Sequence, residues 1–421
     1  MRLTALGGLL FSLGCGSSEP PAFRLNMVAM TSGEVTVAED YQQEIANVLD
    51  GVFGTPDHPR VISETGLDQS LLDMAAGPAW SDDAGANYGL YRKHCVHCHG
   101  ISGDGRGPTA RFLNPYPRDY RPAVFKFKST VNAAQPTDDD LHRVLINGVP
   151  GTSMPSFALL PSGEVESLVE YVKYLSMRGQ LETALTNFTN DELGVDDGER
   201  FALDPLNDPE QGEIIKEMLA EIVEGWDAAG DQVIAPAEET APLDDRSPQE
   251  IAQSVEAGRK LFYGKQANCY TCHGPTGLGD GQQDDYHVWN KANKLFMDEI
   301  ANEELRIQEG WEGDDLTKED KDDLRAREEA LVARREVAST LYPVRNAIPR
   351  NLRQGVYRGG RRPIDVFRKI HTGIAGSPMP GIGTTLSEEQ LWNIVDYVLS
   401  LPYEAASQPQ RALAENIAEI N

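Results

Sequence analysis

Cys95-Val96-His97-Cys98-His99 and Cys269-Tyr270-Thr271-Cys272-His273 decide how this chain is read. Each is a Cys-x-x-Cys-His run, the attachment signature of c-type haem. On one helical turn the two thiols reach the two vinyl groups of a haem, and the histidine that follows points its imidazole at the iron. The two runs use every one of the 5 cysteines except Cys15. A structural zinc site would pair two Cys-x-x-Cys knuckles; here a histidine follows each at once and 174 residues separate them. A thioredoxin-type motif lacks that histidine and needs a βαβ setting, which neither flank suggests. The reading is two covalently bound haems c, one on Cys95 and Cys98 and one on Cys269 and Cys272. No cysteine is left for a disulfide.

Laying one motif on the other exposes an internal duplication. His99-Gly100 is followed by Gly103, Gly105 and Gly107, and His273-Gly274 by Gly277, Gly279 and Gly281, at a constant offset of 174. An apolar-aromatic segment leads into each pair of cysteines, through Leu90-Tyr91 in one copy and Leu261-Phe262-Tyr263 in the other. Pro117-Arg118-Asp119 and Pro349-Arg350-Asn351 come next, then DLHRVLINGVPGTSMP at 140–155 and DVFRKIHTGIAGSPMP at 365–380. The stretches 165–175 and 391–401 close the copies with matching apolar patterns. From the second cysteine to the proline is 19 residues in the first copy and 77 in the second. An insertion there accounts for the difference, and Met154 and Met379 fall at equivalent positions.

On these residues each copy resembles a class I cytochrome c domain, over roughly 80–180 and 250–405. The resemblance implies a mainly α fold in which the motif helix and the C-terminal helix cross, with a methionine-bearing loop between them. It also implies the axial iron ligands: His99 with Met154, and His273 with Met379. Such ligation raises the reduction potential and leaves no open iron position. His94 and His97 lie on the attachment turn, facing away from the iron, and are expected in solvent. His142 and His371 occupy non-equivalent positions, which argues against a shared ligand role. Arg118 and Arg350 recur in one Pro-Arg context. Either each guanidinium forks onto a haem propionate, or each stands in solvent after a turn-forming proline.

The rest of the chain is read from composition and pattern. With 66 acidic against 38 basic residues the net charge is −28, which repels phosphate backbones and excludes nucleic acid as a main partner. The length suits two or three domains, and no apolar run reaches the roughly 20 residues that span a bilayer. Residues 1–14 read as an export signal, and Ser12-Leu13-Gly14-Cys15 resembles a bacterial lipobox. The expectation is a protein lipid-anchored through Cys15 on the periplasmic side of a membrane. Residues 15–40 read as a tether, 41–79 as a helical extension, 181–249 as an acidic linker holding a helix-like stretch from Gly212 to Trp226, and 406–421 as a tail. The insertion, about 284–344, reads as a helical hairpin projecting from the second haem domain, with Leu324, Leu331 and Val332 on one face, either to bind a partner or to cap the haem edge.

The run from His99 through Pro108, continuing to Pro117-Arg118-Asp119-Tyr120 and Phe125-Lys126-Phe127-Lys128, is similar to the membrane-bound cytochrome subunit of alternative complex III. That resemblance implies a subunit of a quinol-oxidising membrane complex, with that complex and an oxidase or a soluble cytochrome as redox partners. The expected role is relay of single electrons, without catalysis by the chain itself. A free-standing carrier to a terminal oxidase is the nearest alternative. A dihaem peroxidase needs an iron open to peroxide, and a methionine in both copies speaks against it. A haem-based sensor would need a signalling domain that the chain does not show.

Overall fold

The computed structural model describes residues 20–32, 37–191, 209–237, 245–313 and 315–404. The expected signal peptide, the anchor at Cys15 and the tail at 406–421 lie outside the described residues. The architecture is mainly α. In the first half it runs through α1 (Met27–Thr31), α2 (Glu39–Phe53), α3 (Gln69–Ala75), a small antiparallel pair β1 (Trp80–Ser81) and β2 (Asn87–Tyr88), α4 (Leu90–His94), α5 (Val96–His99), α6 (Asp138–Asn147), α7 (Ser162–Asp191) and α8 (Pro209–Asp227). The second half follows with α9 (Pro248–Tyr263), α10 (Cys269–His273), α11 (Val288–Trp311), α12 (Lys318–Ser339), α13 (Pro363–Thr372) and α14 (Glu388–Ser400).

Helix starts follow local chemistry. Thr137, Ser247, Thr317 and Ser387 each open a helix with a capping box, where the hydroxyl and the N3 side chain satisfy two otherwise orphaned amides. In the second half α9 crosses α14 at Gly258, where a Cβ would stand only 1.8 Å from the carbonyl oxygen of Asn393. Glycine is what lets the two backbones meet. Around that crossing Phe262, Tyr263, Trp392 and Tyr397 form the buried core.

The first half solves the same problem differently. The helix leading into its motif, α4, has five residues and starts from Gly89 in the left-handed region, too short to cross α7 at length. Helices α2 and α3 of the N-terminal extension pack there instead. Ser167 donates to the Leu71 carbonyl at 2.9 Å, the Asp68 amide donates to Glu170 at 2.7 Å, and Tyr174 donates to the Phe53 carbonyl at 2.6 Å. Leu72 and Ala75 are fully buried.

Three expectations need correction. Residues 20–32, read as part of a tether, are packed. Met30 is fully buried, Phe23 lies beneath the Arg178 guanidinium at 4.4 Å, and the Arg24 amide donates to Ser102 at 2.7 Å. Burying a methionine side chain contributes about 2 kcal/mol, so this segment holds to the domain although its small polar residues suggested otherwise. In the acidic linker the helix expected from Gly212 to Trp226 is present as α8, but α7 also runs on past the linker's expected start at 181. Helix α7 continues to Asp191 with Leu181 and Leu185 buried, and α8 turns Ile215, Leu219 and Trp226 into the first core. Its acids mark the outer face of an amphipathic helix.

The third correction concerns the insertion. It does form a helical hairpin, with Leu324 and Leu331 buried, but Val332 is exposed. The hairpin also does not simply project from the second domain. Val28 of α1 joins Phe296, Ile300, Ile307 and Leu331 in one cluster. At its base Tyr116 donates to the Pro343 carbonyl at 3.0 Å and Tyr342 to the Gly107 carbonyl at 3.3 Å. The insertion therefore straps the second domain to the first. Among the described residues no helix is long and apolar enough to cross a membrane.

Replacing Gly258 by valine forces α9 away from α14. We expect a loss of about 2 kcal/mol or more, seen as a lower midpoint of thermal unfolding by circular dichroism. Val332→Ala, on the exposed face of α12, should leave the midpoint nearly unchanged, a stability difference within about 0.5 kcal/mol.

Candidate haem sites

The glycine-rich run after each motif exists because backbones pass close there. A Cβ on Gly105 would lie 2.7 Å from the Pro117 carbonyl oxygen, and one on Gly279 would lie 2.4 Å from that of Pro349. Both glycines have φ in the left-handed region, 71° and 78°, and each donates its amide to the carbonyl of the motif histidine, at 2.9 and 2.8 Å. The Pro-Arg segment is thereby laid against the histidine. Its consequence is one bond repeated in both copies: His99 Nδ1 lies 3.0 Å from the Arg118 carbonyl, and His273 Nδ1 lies 3.2 Å from the Arg350 carbonyl. A carbonyl only accepts, so Nδ1 carries the proton and Nε2 keeps the lone pair. Burial pushes His99 down to about 4 and lowers His273 as well, which holds both rings neutral and ready to ligate.

The methionine loops are built alike. In the first, Val149 N–H donates to the Met154 carbonyl, Thr152 Oγ1 to the Val149 carbonyl, and Met154 N–H to Thr152 Oγ1, at 3.1, 2.8 and 3.1 Å. In the second, Ile374, Ser377 and Met379 make the same three bonds at 3.2, 2.8 and 3.4 Å. Met154 packs on the first core and Met379 on the second.

In the first domain these parts converge on a cavity of about 470 Å³, lined by Cys95, Cys98, His99 and Met154. Its remaining wall is mostly apolar, from Leu141, Leu145 and Val149 on one side to Leu168, Val169 and Val172 on α7. Two thiols, a neutral imidazole and a thioether around an apolar space suit a haem c. Burial pushes the Cys95 and Cys269 thiols up to about 12, the opposite of a thiolate kept for disulfide exchange. Among the described residues no group of three or more His, Cys, Asp or Glu could hold a metal ion.

Other expected residues fall differently. His94 is not in solvent: it lines the cavity, packs edge-on to Phe157 with ring centroids 5.9 Å apart, and keeps a buried, unbonded Nε2. His97 is exposed. Phe367 fills the position in the second copy that His142 holds in the first, and it stacks on His371 at 5.8 Å. Arg118 and Arg350 do not stand free after their prolines. The Arg118 side chain is in the cavity wall, 4.1 Å above the Trp289 ring, and burial pushes it down to about 10. Arg350 Nη2 donates to the Val356 carbonyl at 3.2 Å. What the Pro-Arg repeat shares is the backbone carbonyl, which a side-chain reading misses. Trp289, Lys126 and Arg358 also line the cavity; nothing in sequence spacing links them to the first motif.

Fold and site together define c-type cytochrome domains. Residues 82–172 match the family model of cytochrome c oxidase, cbb3-type, subunit III, and residues 255–402 match the model of cytochrome c. The chain thus contains two cytochrome c-type domains, which bind haem c and serve electron transfer. A search of curated proteins found no match. Among solved structures it is similar to a chain of the Kuenenia stuttgartiensis reducing HAO-like protein complex Kustc0457/Kustc0458. That match has 20% identity, covers 74% of this chain and 94% of that one, and has a TM-score of 0.44. Such a score is too low to carry over how the parts are arranged.

Gly105→Ala should push the Pro117–Arg118 backbone away from His99. The expected cost is about 1–3 kcal/mol in thermal unfolding, with faster exchange of the His99 Nδ1 proton in NMR spectra of the reduced protein.

Proposed function

We propose that the chain is a dihaem cytochrome c that relays single electrons, with thioether links at Cys95, Cys98, Cys269 and Cys272. His99 with Met154, and His273 with Met379, would hold the two irons. The observation that carries this reading is the matched pair of methionine loops. Two loops with the same three hydrogen bonds, each accompanied by a histidine fixed through Nδ1, support a reading of two equivalent carriers. Bound haem supplies one-electron cycling between ferric and ferrous iron. The residues do the rest: each imidazole is oriented by its carbonyl, each thioether sits on a braced loop, and the apolar wall keeps water from the ligands. The excess of acidic side chains steers a basic partner at a rate that falls with salt.

The setting belongs to the same proposal. Cys15 carries the lipid anchor, the domains face the periplasm, and the chain is a subunit of a quinol-oxidising membrane complex of the alternative complex III type, which supplies its electrons. An oxidase as the next acceptor is supported by the first domain's match to an oxidase-subunit model. Recovery of the native protein as a lone species, without quinol-oxidising subunits, would overturn that setting. Cys15→Ser should release the chain from the membrane fraction.

The decisive measurement is a redox titration followed by optical and low-temperature EPR spectra. Two low-spin haems with the near-infrared methionine-to-iron band are expected, and neither should react with peroxide. One high-spin, peroxide-reactive haem would make the chain an enzyme. Met154→His and Met379→His should each remove about half of that near-infrared band and lower one potential, because methionine ligation raises it.

A further inference from the structure

In a chain with 66 acidic residues against 38 basic, the cavity around His99 is lined by Lys93, Arg118, Lys126 and Arg358 and by no aspartate or glutamate. Three of these cations gather at the seam between the domains. Trp289, at the foot of the insertion, has the Arg118 guanidinium 4.1 Å and the Lys126 ammonium 4.7 Å from its ring centre. Lys126 Nζ is also 3.1 Å from Nδ1 of His287, whose ring stacks on Trp289 at 5.0 Å. Arg358 arrives from the second domain with its Nε buried and unbonded, as is that of Arg350.

These groups repel one another. Burial, then Arg118 and Arg358, push Lys126 down to about 6. Burial together with Lys126, Arg118 and Arg358 pushes His287 to about 3. Arg358 is lowered by burial and by Arg350. No carboxylate is among the groups acting on Lys126 or Arg358. Buried charges without counter-ions are costly, so the cluster is laid out for an anion.

The seam is also nearly two-fold. A Cβ on Gly376, in the second methionine loop, would lie 3.0 Å from Val124 and 3.6 Å from Arg118 of the first domain. A Cβ on Gly151, in the first loop, would lie 3.2 Å from Val356 and 3.0 Å from Arg350 of the second. Each glycine stands three residues before its methionine, and Lys126 and Arg358 are separated by the same 232 residues as Arg118 and Arg350. Each domain leans its post-proline segment on the other's ligand loop.

We propose that Arg118, Lys126 and Arg358 form one carboxylate-binding site at the seam, taking the propionates of both haems, with Trp289 as the positioning residue that holds its cations. This rests on haem c being bound at the two motifs, which a pyridine haemochrome count of two haems per chain tests on its own. The site makes the two reduction potentials depend on shared residues. A fixed positive charge near the propionates favours the ferrous state, so its removal lowers the potential.

The test is spectroelectrochemistry of the full-length holoprotein, with Met154→His in a parallel sample to identify the first haem. Lys126→Met and Arg358→Gln should each lower both potentials, by at least about threefold in the oxidised-to-reduced ratio (about 30 mV for one electron). Lys126→Arg, which keeps the charge, should restore them, and Trp289→Ala should lower both by less. Shifts confined to the haem of the mutated domain would overturn the shared site. So would no shift in a variant that retains both near-infrared bands. If Lys126→Met loses a band, Arg358→Gln decides alone. Native potentials that move on adding acetate or phosphate would mean that the site takes a free anion, and would equally overturn the proposal.

Discussion

The hydrogen bond from each motif histidine to the carbonyl of the arginine after a proline is the constraint on which the rest depends. To make it, the Pro-Arg segment must pass within contact distance of the glycine run, and only residues without a Cβ allow that. The bond leaves Nε2 with its lone pair and holds the ring at one angle. The braced methionine loop then has a defined partner across the cavity. Glycines, prolines and methionines that look scattered along the chain are thus parts of one arrangement, built twice.

The two copies reach it by different routes. In the second, a long helix crosses its C-terminal partner at Gly258, and the domain supplies its own core. In the first, the helix leading into the motif is short, and α2 and α3 stand in for it against α7. The N-terminal segment and the insertion complete the exchange: α1 binds α7 and the hairpin at once, and the base of the hairpin reaches the first haem cavity through Trp289. Stability and the electrostatics of the first site therefore depend on residues spread over the whole chain. A buried seam lined with cations in so acidic a protein fits two haem domains that act as a unit.

Sequence alone carried a good deal of this. The two Cys-x-x-Cys-His runs, the matched glycines and the equivalence of Met154 and Met379 were legible because the duplication repeats the same residue types at matching spacings. The helical hairpin was legible too, since a 3.6-residue apolar period survives any context. Packing at the tether was not legible, because a few buried side chains, Met30 among them, outweigh many polar ones that composition counts equally. Only the tertiary structure could show that Arg118 serves His99 through its carbonyl, or that Lys126, Arg358 and Trp289 meet at one cavity. A backbone atom leaves no mark in residue identity, and burial without a counter-charge is a property of how distant segments pack.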